Sequence, residues 1–331
     1  MRPSLLNSAL LLCGLMIMAT SVLVGPTSLS LWSSMQALFG AGPESAQIIT
    51  QDIRLPRALS AYLVGLMLGL SGAALQGLLR NPLAEPGVLG VSASSSLCAT
   101  FSIYYGLSAI SGFILPLSAI VGAMLATLFL AVAAIRISSI VILILIGVGL
   151  SSFAGALMSL LMNLAPNPFS LSDMVNWMMG TVANRSVDDL MMALPFMLFG
   201  TILILSAGRA LSVLSLGEEV ASTLGVNLPR ARLIIVVGTG LCTGASVAIA
   251  GAVGFVGIVA PHLVRRFVDY DPGKTMVPAA LVGGLVLVAA DLFIRLAPTN
   301  VELKLGVVAA LIGAPIFIWI AILRVSGEKY D

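Results

Sequence analysis

Three arginines stand at the ends of long apolar stretches, where a cation needs an anionic partner. Arg54 and Arg57 are three positions apart just before an uncharged run, and Arg295 closes a later one. A guanidinium stays charged at any relevant pH and holds a carboxylate with two parallel hydrogen bonds. These residues therefore indicate either docking of a carboxylate-bearing partner or local roles, such as pairing with Asp52 or Glu302 and snorkelling to lipid phosphates.

A carboxylate inside an apolar run is the second candidate for chemistry. Asp291 lies four positions before Arg295. An intramembrane carboxylate is costly and usually faces a partner or a cavity. An i,i+4 ion pair with Arg295 is the simpler interpretation, and proton coupling in a secondary transporter is the alternative. His262 has no second His or Cys at ligand spacing and is interpreted as structural.

The segment "DPGKT" (271–275) is similar to the end of a phosphate-binding loop. The complete motif needs a glycine five positions before Gly273, and Val268 stands there. The segment is better interpreted as a turn between spans. The three cysteines show neither disulfide nor metal-ligand spacing. We therefore expect no bound cofactor, no metal and no catalytic residue in this chain.

The elements that must position these residues are membrane spans. Of the 331 residues, 59% are hydrophobic and 9% charged, with a mean hydropathy of +1.11, whereas soluble domains carry roughly 25% charged residues. The composition predicts an all-α polytopic membrane protein. About 20 apolar residues cross a bilayer, and ten stretches qualify: Leu5–Val24, Ala58–Leu78, Val88–Leu107, Ile114–Ala134, Ile140–Met162, Met191–Ala207, Leu233–Ala250, Val253–Val268, Met276–Ile294 and Leu305–Leu323. The first is interpreted as a retained span, with a signal peptide as the alternative.

One division in this list depends on the charges around it. A single helix through the glycine-rich segment Gly251–Gly257 would reach about 44 Å and would separate Arg230 and Arg232 from Arg265 and Arg266. A hairpin at this segment returns both pairs to one side, as the positive-inside tendency favours. Eleven of the sixteen basic residues then lie inside and five outside. Both termini are predicted to be cytoplasmic, with the chain in a bacterial inner membrane.

Small residues also suggest how the spans are organised. The second span contains "GLMLGLSGAALQG" and the seventh contains "GTGLCTGASVAIAG". Such residues allow close helix packing. Because the two segments lie five spans apart, they indicate two halves that are inverted repeats. We expect one transmembrane domain, residues 1–331.

Four segments together resemble the FecCD-type permeases: "RLPRALSAYLVGLMLGLSGAALQGLLRNPLAEPGVLGVSASSSL", "LSLGEEVASTLGV", "GFVGIVAPHLVRRFV" and "ELKLGVVAALIGAPIFIWI". These permeases are membrane subunits of binding-protein-dependent ABC importers for iron-siderophores, haem and cobalamin. The resemblance implies a homodimer, with a paralogue as the other possible partner. It also implies two cytoplasmic ATPase subunits that bind ATP and magnesium, and one periplasmic substrate-binding protein. Lys304 departs from the family, which usually has proline there.

The resemblance also implies roles for particular residues. Arg54, Arg57 and Arg295 match positions that dock the binding protein. Residues 210–232 match the cytoplasmic segment that couples the permease to the ATPase, and its candidates are Gly217, Glu218, Glu219, Ala221, Leu224 and Gly225. Candidates for the pathway and its gate are Ser138, Ser139, Ser152, Met158, Met162 and Asn163.

The sequence therefore predicts a permease subunit that imports an iron-siderophore-type chelate and does not itself hydrolyse ATP. Haem or cobalamin import by the same mechanism remains an alternative. An ion-coupled secondary transporter is the alternative of another class, although it would need more intramembrane ionisable residues than Asp291. The expected environment is the lipid bilayer, and no nucleic acid is expected as a partner.

Overall fold

The structure is a computed structural model that describes residues 3–27, 29–137, 139–298 and 302–327. Ser138, one of the expected gate residues, lies outside these ranges. The described residues form helices and connecting loops, with no strand among them. The α-helices are α1 (Pro3–Leu23), α2 (Leu31–Leu38), α3 (Glu44–Gln47), α4 (Leu55–Leu79), α5 (Val91–Tyr104), α6 (Ile114–Arg136), α7 (Ile140–Asn163), α8 (Pro168–Met179), α9 (Val187–Ser206), α10 (Gly208–Leu214), α11 (Glu218–Thr223), α12 (Leu228–Ala250), α13 (Val256–Arg265), α14 (Pro272–Leu296) and α15 (Leu305–Gly327).

Among the described residues, seven helices are long and apolar enough to cross a membrane. They include α1, α6, α7, α9, α12 and α14, and a continuous helix Glu44–Leu79 that joins α3 to α4 through the π-helical turn Ile48–Arg54. Within α15, the apolar stretch found among the described residues is Leu305–Ile316, which is shorter than these seven helices. Seven of the ten predicted spans are thus present as full-length helices. The total of ten and the orientation of the termini remain predictions.

Two of the predicted spans form shorter helices than expected. Helix α5 has 14 residues and α13 has 10, which correspond to about 21 Å and 15 Å of helix against a hydrocarbon core of about 30 Å. Both begin at residues with left-handed backbones, Gly90 before α5 and Phe255 before α13. Apolar composition extends past these starting points, so the predicted spans Val88–Leu107 and Val253–Val268 were too long for the helices they contain.

The glycine-rich segment divides the chain where the charge argument placed the division. Helix α12 ends at Ala250, and Gly251 follows with a φ of 68°. Helix α13 then starts at Val256 and runs back to Arg265. The long uncharged run is therefore two helices with a turn between them.

The centre of the bundle is the antiparallel pair of α4 and α14, which share the most extensive helix contact in the protein. A Cβ atom on Gly65 would clash with the carbonyl oxygen of Gly283, so the two backbones are in direct contact. Almost every residue of α4 beyond Leu66 is buried. This close packing fixes the ends of the two helices relative to each other. The proposed inverted-repeat relation between the halves remains a prediction.

Other helices turn large apolar side chains outward. On α7 these are Val141, Leu145, Phe153 and Leu160, each more than half exposed. A soluble protein would not expose so continuous an apolar face. Such faces are suited to lipid chains or to a second membrane subunit.

Candidate functional site

One end of the α4–α14 pair contains a charged cluster built from these two helices and from the segment just before α15. We call this end, where α4 begins and α14 ends, the outer end, because the charge distribution predicts it to lie outside. Arg57 binds Asp291 through Nε at 2.9 Å and through Nη2 at 2.8 Å. The same Nη2 lies 2.6 Å from Oε1 of Glu302, just before α15. Arg57 therefore links α4 to α14 and to the start of α15.

Asp291 is shared by a second arginine. Nε of Arg295 lies 3.1 Å from Oδ2 of Asp291, so the ion pair predicted from their i,i+4 spacing is confirmed. Nη2 of Arg295 also donates to the backbone carbonyl of Ser21 at 2.9 Å and to its hydroxyl. The Asp291 side chain is only 1% exposed. A buried carboxylate held by two guanidiniums is well suited to structure and poorly suited to carrying a proton.

Arg54 stands just before the first residue of α4 and is almost wholly buried, with 4% of its surface exposed. Its Nη1 donates to the carbonyl of Leu23 at 2.8 Å, and its Nη2 donates to the Thr27 hydroxyl at 2.6 Å. The last carbonyls of a helix have no partner within the helix and carry partial negative charge. Arg54 and Arg295 therefore hold the C-terminal end of α1. Of the two local partners considered from the sequence, Glu302 pairs with Arg57, whereas Asp52 forms no ion pair among the described residues.

A cavity of about 400 Å³ opens beside the cluster and is lined in part by Arg54, Arg57, Arg295 and Glu302. We call it the outer cavity. The side chain of Glu302 is 42% exposed, whereas that of Arg57 is 13% exposed. Of the three arginines predicted to dock a partner, Arg57 is thus the most accessible. An external carboxylate reaching this cavity would meet Arg57 by competing with Glu302.

At the opposite, inner end of the bundle, α10 and α11 form the predicted coupling segment. The chain turns at Gly217 with a φ of 114° and at Gly225 with a φ of 81°, and the short helix α11 lies between these two turns. Ala221 is buried, while Glu219 and Leu224 are exposed. The segment thus presents one face inward and one face outward.

Helix α11 is anchored to α12 by an ion pair. Nη2 of Arg232 contacts both carboxylate oxygens of Glu218, at 3.0 Å and 3.1 Å. The Arg232 side chain is 6% exposed and that of Glu218 42% exposed. This ion pair therefore tethers α11 to the first turns of α12.

A second contact, missed from the sequence, links the coupling segment to α14. The Ser212 hydroxyl of α10 donates to Oδ1 of Asp271 at 2.5 Å, and the same oxygen caps α14 by accepting from the backbone N–H of Gly273. Partial burial opposes ionisation of Asp271, but the hydrogen bonds from Ser212 and the backbone outweigh it and hold its pKa below the usual range. The "DPGKT" segment is thus a helix start, and an Asp before Pro at a helix start is the signal that could have predicted it.

The predicted pathway residues do not share one environment. Met158 is packed inside this subunit at 6% exposed, whereas Ser152 and Asn163 are exposed and Met162 is half-buried. Ser139 caps α7 by accepting from the N–H of Ile142 at 3.4 Å. Met158 is therefore a packing residue, and Ser139 caps the start of α7. Ser152 and Asn163 are the open positions on this helix.

An apolar cavity of about 630 Å³ lies beside α15, and most of its lining was not identified from the sequence. Its walls include Met178 and Met179 from α8, Phe255 before α13, and Leu311 and Pro315 from α15. The described lining contains no charged residue. The small residues on one face of α15, Gly306, Ala310 and Ala314, were the available sequence signal.

A half-buried carboxylate that contacts the lining residue Phe255 was also missed. Oε2 of Glu85, in the loop after α4, accepts from the backbone N–H of Phe255 at 3.2 Å. The contact fastens the α4–α5 loop to the start of α13. Glu85 therefore has a structural partner in the described part of the chain.

The fold and these two ends define a polytopic helical transport protein with an outer charged cluster and an inner coupling segment. Residues 11–323 match the model of the FecCD transport family. The chain belongs to this family, and it is a permease subunit of an ABC importer, whose ATP hydrolysis takes place on a separate ATPase. The resemblance seen in the sequence is confirmed, and the secondary-transporter alternative is set aside.

Curated relatives and a solved structure agree with this assignment. The chain is 37% identical over 96% of its length to the ABC transporter permease protein YvrB of Bacillus subtilis (strain 168), covering 94% of that protein. It is 40% identical to the vitamin B12 import system permease protein BtuC of Salmonella paratyphi A, over 83% of each chain. A solved metal-chelate type ABC transporter in an inward-facing conformation shares 32% identity with a TM-score of 0.84, covering 96% of this chain and 98% of the other.

Proposed function

We propose that this chain imports an iron-siderophore-type chelate from the periplasm across the bacterial inner membrane. The observation that carries the proposal is the match along 96% of the chain to a metal-chelate type transporter. The uncharged 630 Å³ cavity beside α15 supports it. Such a wall offers a large chelate few specific contacts and suits a cargo that passes without being retained.

Cobalamin is the second candidate cargo, and a specific observation favours it. BtuC proteins of Salmonella and Yersinia, named as vitamin B12 import system permeases, are 36–40% identical to this chain. Cobalamin is also a large metal chelate, so the same cavity would suit it. Haem import remains an alternative that follows from the sequence resemblance alone.

The complex is proposed to contain two copies of this chain, two ATPase subunits and one periplasmic binding protein. The exposed apolar faces of α7 and α15 are suited to contact with the second copy, and the open positions Ser152 and Asn163 would then line the pathway. At the inner end, the exposed Leu224 and Val220 of the coupling segment suit a groove on the ATPase.

Docking of the binding protein is proposed to use Arg57. A carboxylate of the partner would replace Glu302 on the same guanidinium and would keep the charge of Arg57 balanced. Arg54 and Arg295 would form part of the wall of the outer cavity, because their guanidiniums already hold the end of α1. Exposed charge pairs of this kind orient a partner more than they tighten its binding.

The test is uptake by liposomes that contain this chain with its cognate ATPase, and the cognate binding protein added outside. Radiolabelled iron-siderophore, cobalamin and haem are offered separately, with and without ATP. ATP-dependent uptake of the iron chelate supports the proposal, and uptake of cobalamin alone would transfer the assignment to the second candidate. A complex with a catalytically inactive ATPase is the control, and uptake by that control would contradict an ATP-driven mechanism.

A further inference from the structure

A basic cavity at the inner end is lined in part by Leu224 and Gly225 of the coupling segment, but its two arginines take no part in the contacts described above. It has a volume of about 580 Å³ and lies where α9 ends and α12 begins, closed on one side by the chain after α11. Its polar lining residues are Ser206, Arg209, Asn227 and Arg230, and Val226 and Ile234 are among its apolar lining residues. We call it the inner basic cavity.

The charges of this cavity are not balanced within the protein. Its described lining contains two arginines and no carboxylate. Neither guanidinium has an ion-pair partner among the described residues. The acid of the coupling segment that does form an ion pair, Glu218, binds Arg232 instead. The positive charges of the two arginines therefore attract an anion to the cavity.

The surroundings of the cavity indicate what sort of anion would fit. Helix α9 reaches the cavity with a lipid-facing side that exposes Leu198, Ile202 and Leu205. The cavity itself continues into apolar residues such as Val213 and Ile234. A ligand with an anionic head and apolar chains would satisfy both parts, whereas a free inorganic anion would leave the apolar wall in contact with water.

We propose that the inner basic cavity binds the headgroup of an anionic phospholipid, whose acyl chains run along α9. Basic side chains close to the inner face of a bilayer attract anionic lipids, and basic pockets between transmembrane helices bind their headgroups. The bound lipid would fill the space between the membrane and the residues that follow α11. This lipid site depends on the cavity, its charges and the exposed apolar side of α9, and not on the identity of the cargo.

The experiment uses the purified full-length chain in detergent, titrated with phosphatidylglycerol or phosphatidylcholine and followed by native mass spectrometry. Wild type is expected to bind one phosphatidylglycerol in preference to phosphatidylcholine. The double variant R209Q/R230Q is expected to bind phosphatidylglycerol about 25-fold more weakly, because each basic side chain near an anionic surface contributes roughly fivefold. R136Q is the matched control, since Arg136 is an exposed arginine in the last turn of α6, outside this cavity.

Several outcomes would overturn the proposal. Two outcomes would show that the lipid is attracted to basic residues in general and is not bound by this cavity. The first is equal binding of the two lipids by wild type, and the second is an equal loss of lipid binding in R209Q/R230Q and R136Q. Displacement of the lipid by millimolar inorganic phosphate would assign the cavity to a free anion. If the double variant keeps its lipid but no longer co-purifies with the ATPase, the cavity belongs to the ATPase contact. R209K/R230K keeps both charges and should retain the preference, which guards against a folding defect in the glutamine variant.

Discussion

The two ends of the bundle use charged residues in opposite ways. At the outer end, Arg54, Asp291 and Arg295 lie inside the protein and are held by contacts between α1, α4 and α14. At the inner end, the coupling segment turns Glu219 and Leu224 outward, and the Glu218–Arg232 pair fixes it from one side. In the sequence, both ends contain residues that are candidates for binding a partner protein. The difference shows that the outer charges first assemble the site, whereas the inner residues present a surface.

The largest effect is expected from Asp291→Asn, which tests whether the outer end is an assembled core. The substitution leaves Arg57 and Arg295 buried with one fewer negative charge, and breaking a buried ion pair costs about 3–5 kcal/mol. We expect the temperature of unfolding in detergent to fall by several degrees. Asp52→Asn is the control, because Asp52 is an exposed carboxylate near the same end. Equal losses for the two variants would mean that the cluster adds nothing beyond surface charge.

A smaller effect is expected from Glu218→Gln at the inner end. The substitution replaces the ion pair with Arg232, whose side chain is 6% exposed, by a weaker neutral hydrogen bond. Because α11 would then be tethered less firmly to α12, we expect several-fold weaker stimulation of the ATPase by the loaded binding protein. Basal ATP hydrolysis should persist.

Glu219→Gln provides the matched comparison for that substitution. Glu219 is the exposed neighbour on the same helix, so its loss should leave the tether intact. If both variants lose stimulation equally, the anchoring of α11 is not what transmits motion, and contact of the acids with the ATPase becomes the better explanation.

The parts of this comparison that follow local sequence rules could be predicted. Apolar length gave seven of the spans, Gly217 and Gly225 marked the turns of the coupling segment, and i,i+4 spacing predicted the pair of Asp291 with Arg295. In each case the determining residues lie within a few positions of each other. The physical cause is therefore readable in a short window of sequence.

The remaining parts depend on contacts between distant segments. Arg57 and Asp291 are 234 positions apart, and Arg54 binds carbonyls of α1, which any sequence could provide. The burial of Met158 and the late starts of α5 and α13 likewise depend on neighbouring helices. Sequence spacing identifies a charged residue that needs a partner, but tertiary packing selects that partner.

A hydrogen bond between the coupling segment and α14 gives a third, smaller test. Ser212→Ala removes the donor to Asp271, and we expect a loss of about 1–2 kcal/mol at neutral pH. The pKa of Asp271 is lowered in the folded protein, so its contribution is complete above the ordinary Asp pKa of about 3.9 and is lost as the pH falls through the lower folded value. The difference in unfolding temperature between wild type and Ser212→Ala should therefore shrink in acid.

Ser215→Ala is the control for that pH dependence. Ser215 directly follows α10, the helix that contains Ser212, but its hydroxyl donates to the Ser212 carbonyl and not to a carboxylate. Its effect on unfolding should not vary with pH in the acid range. A difference that stays constant for Ser212→Ala as well would show that the bond to Asp271 is unimportant for its ionisation.

The smallest effect on stability and the most informative one on function are expected from Glu302→Gln. Glu302 is 42% exposed, and exposed ion pairs contribute about 0–1 kcal/mol, so unfolding should hardly change. Arg57 would keep Asp291 but lose its accessible partner. If docking proceeds by carboxylate exchange, the binding protein should then bind more tightly at low salt, with a steeper dependence on ionic strength. Weaker binding in this variant would mean that Glu302 itself contacts the partner, and the outer end would then present a surface just as the inner end does.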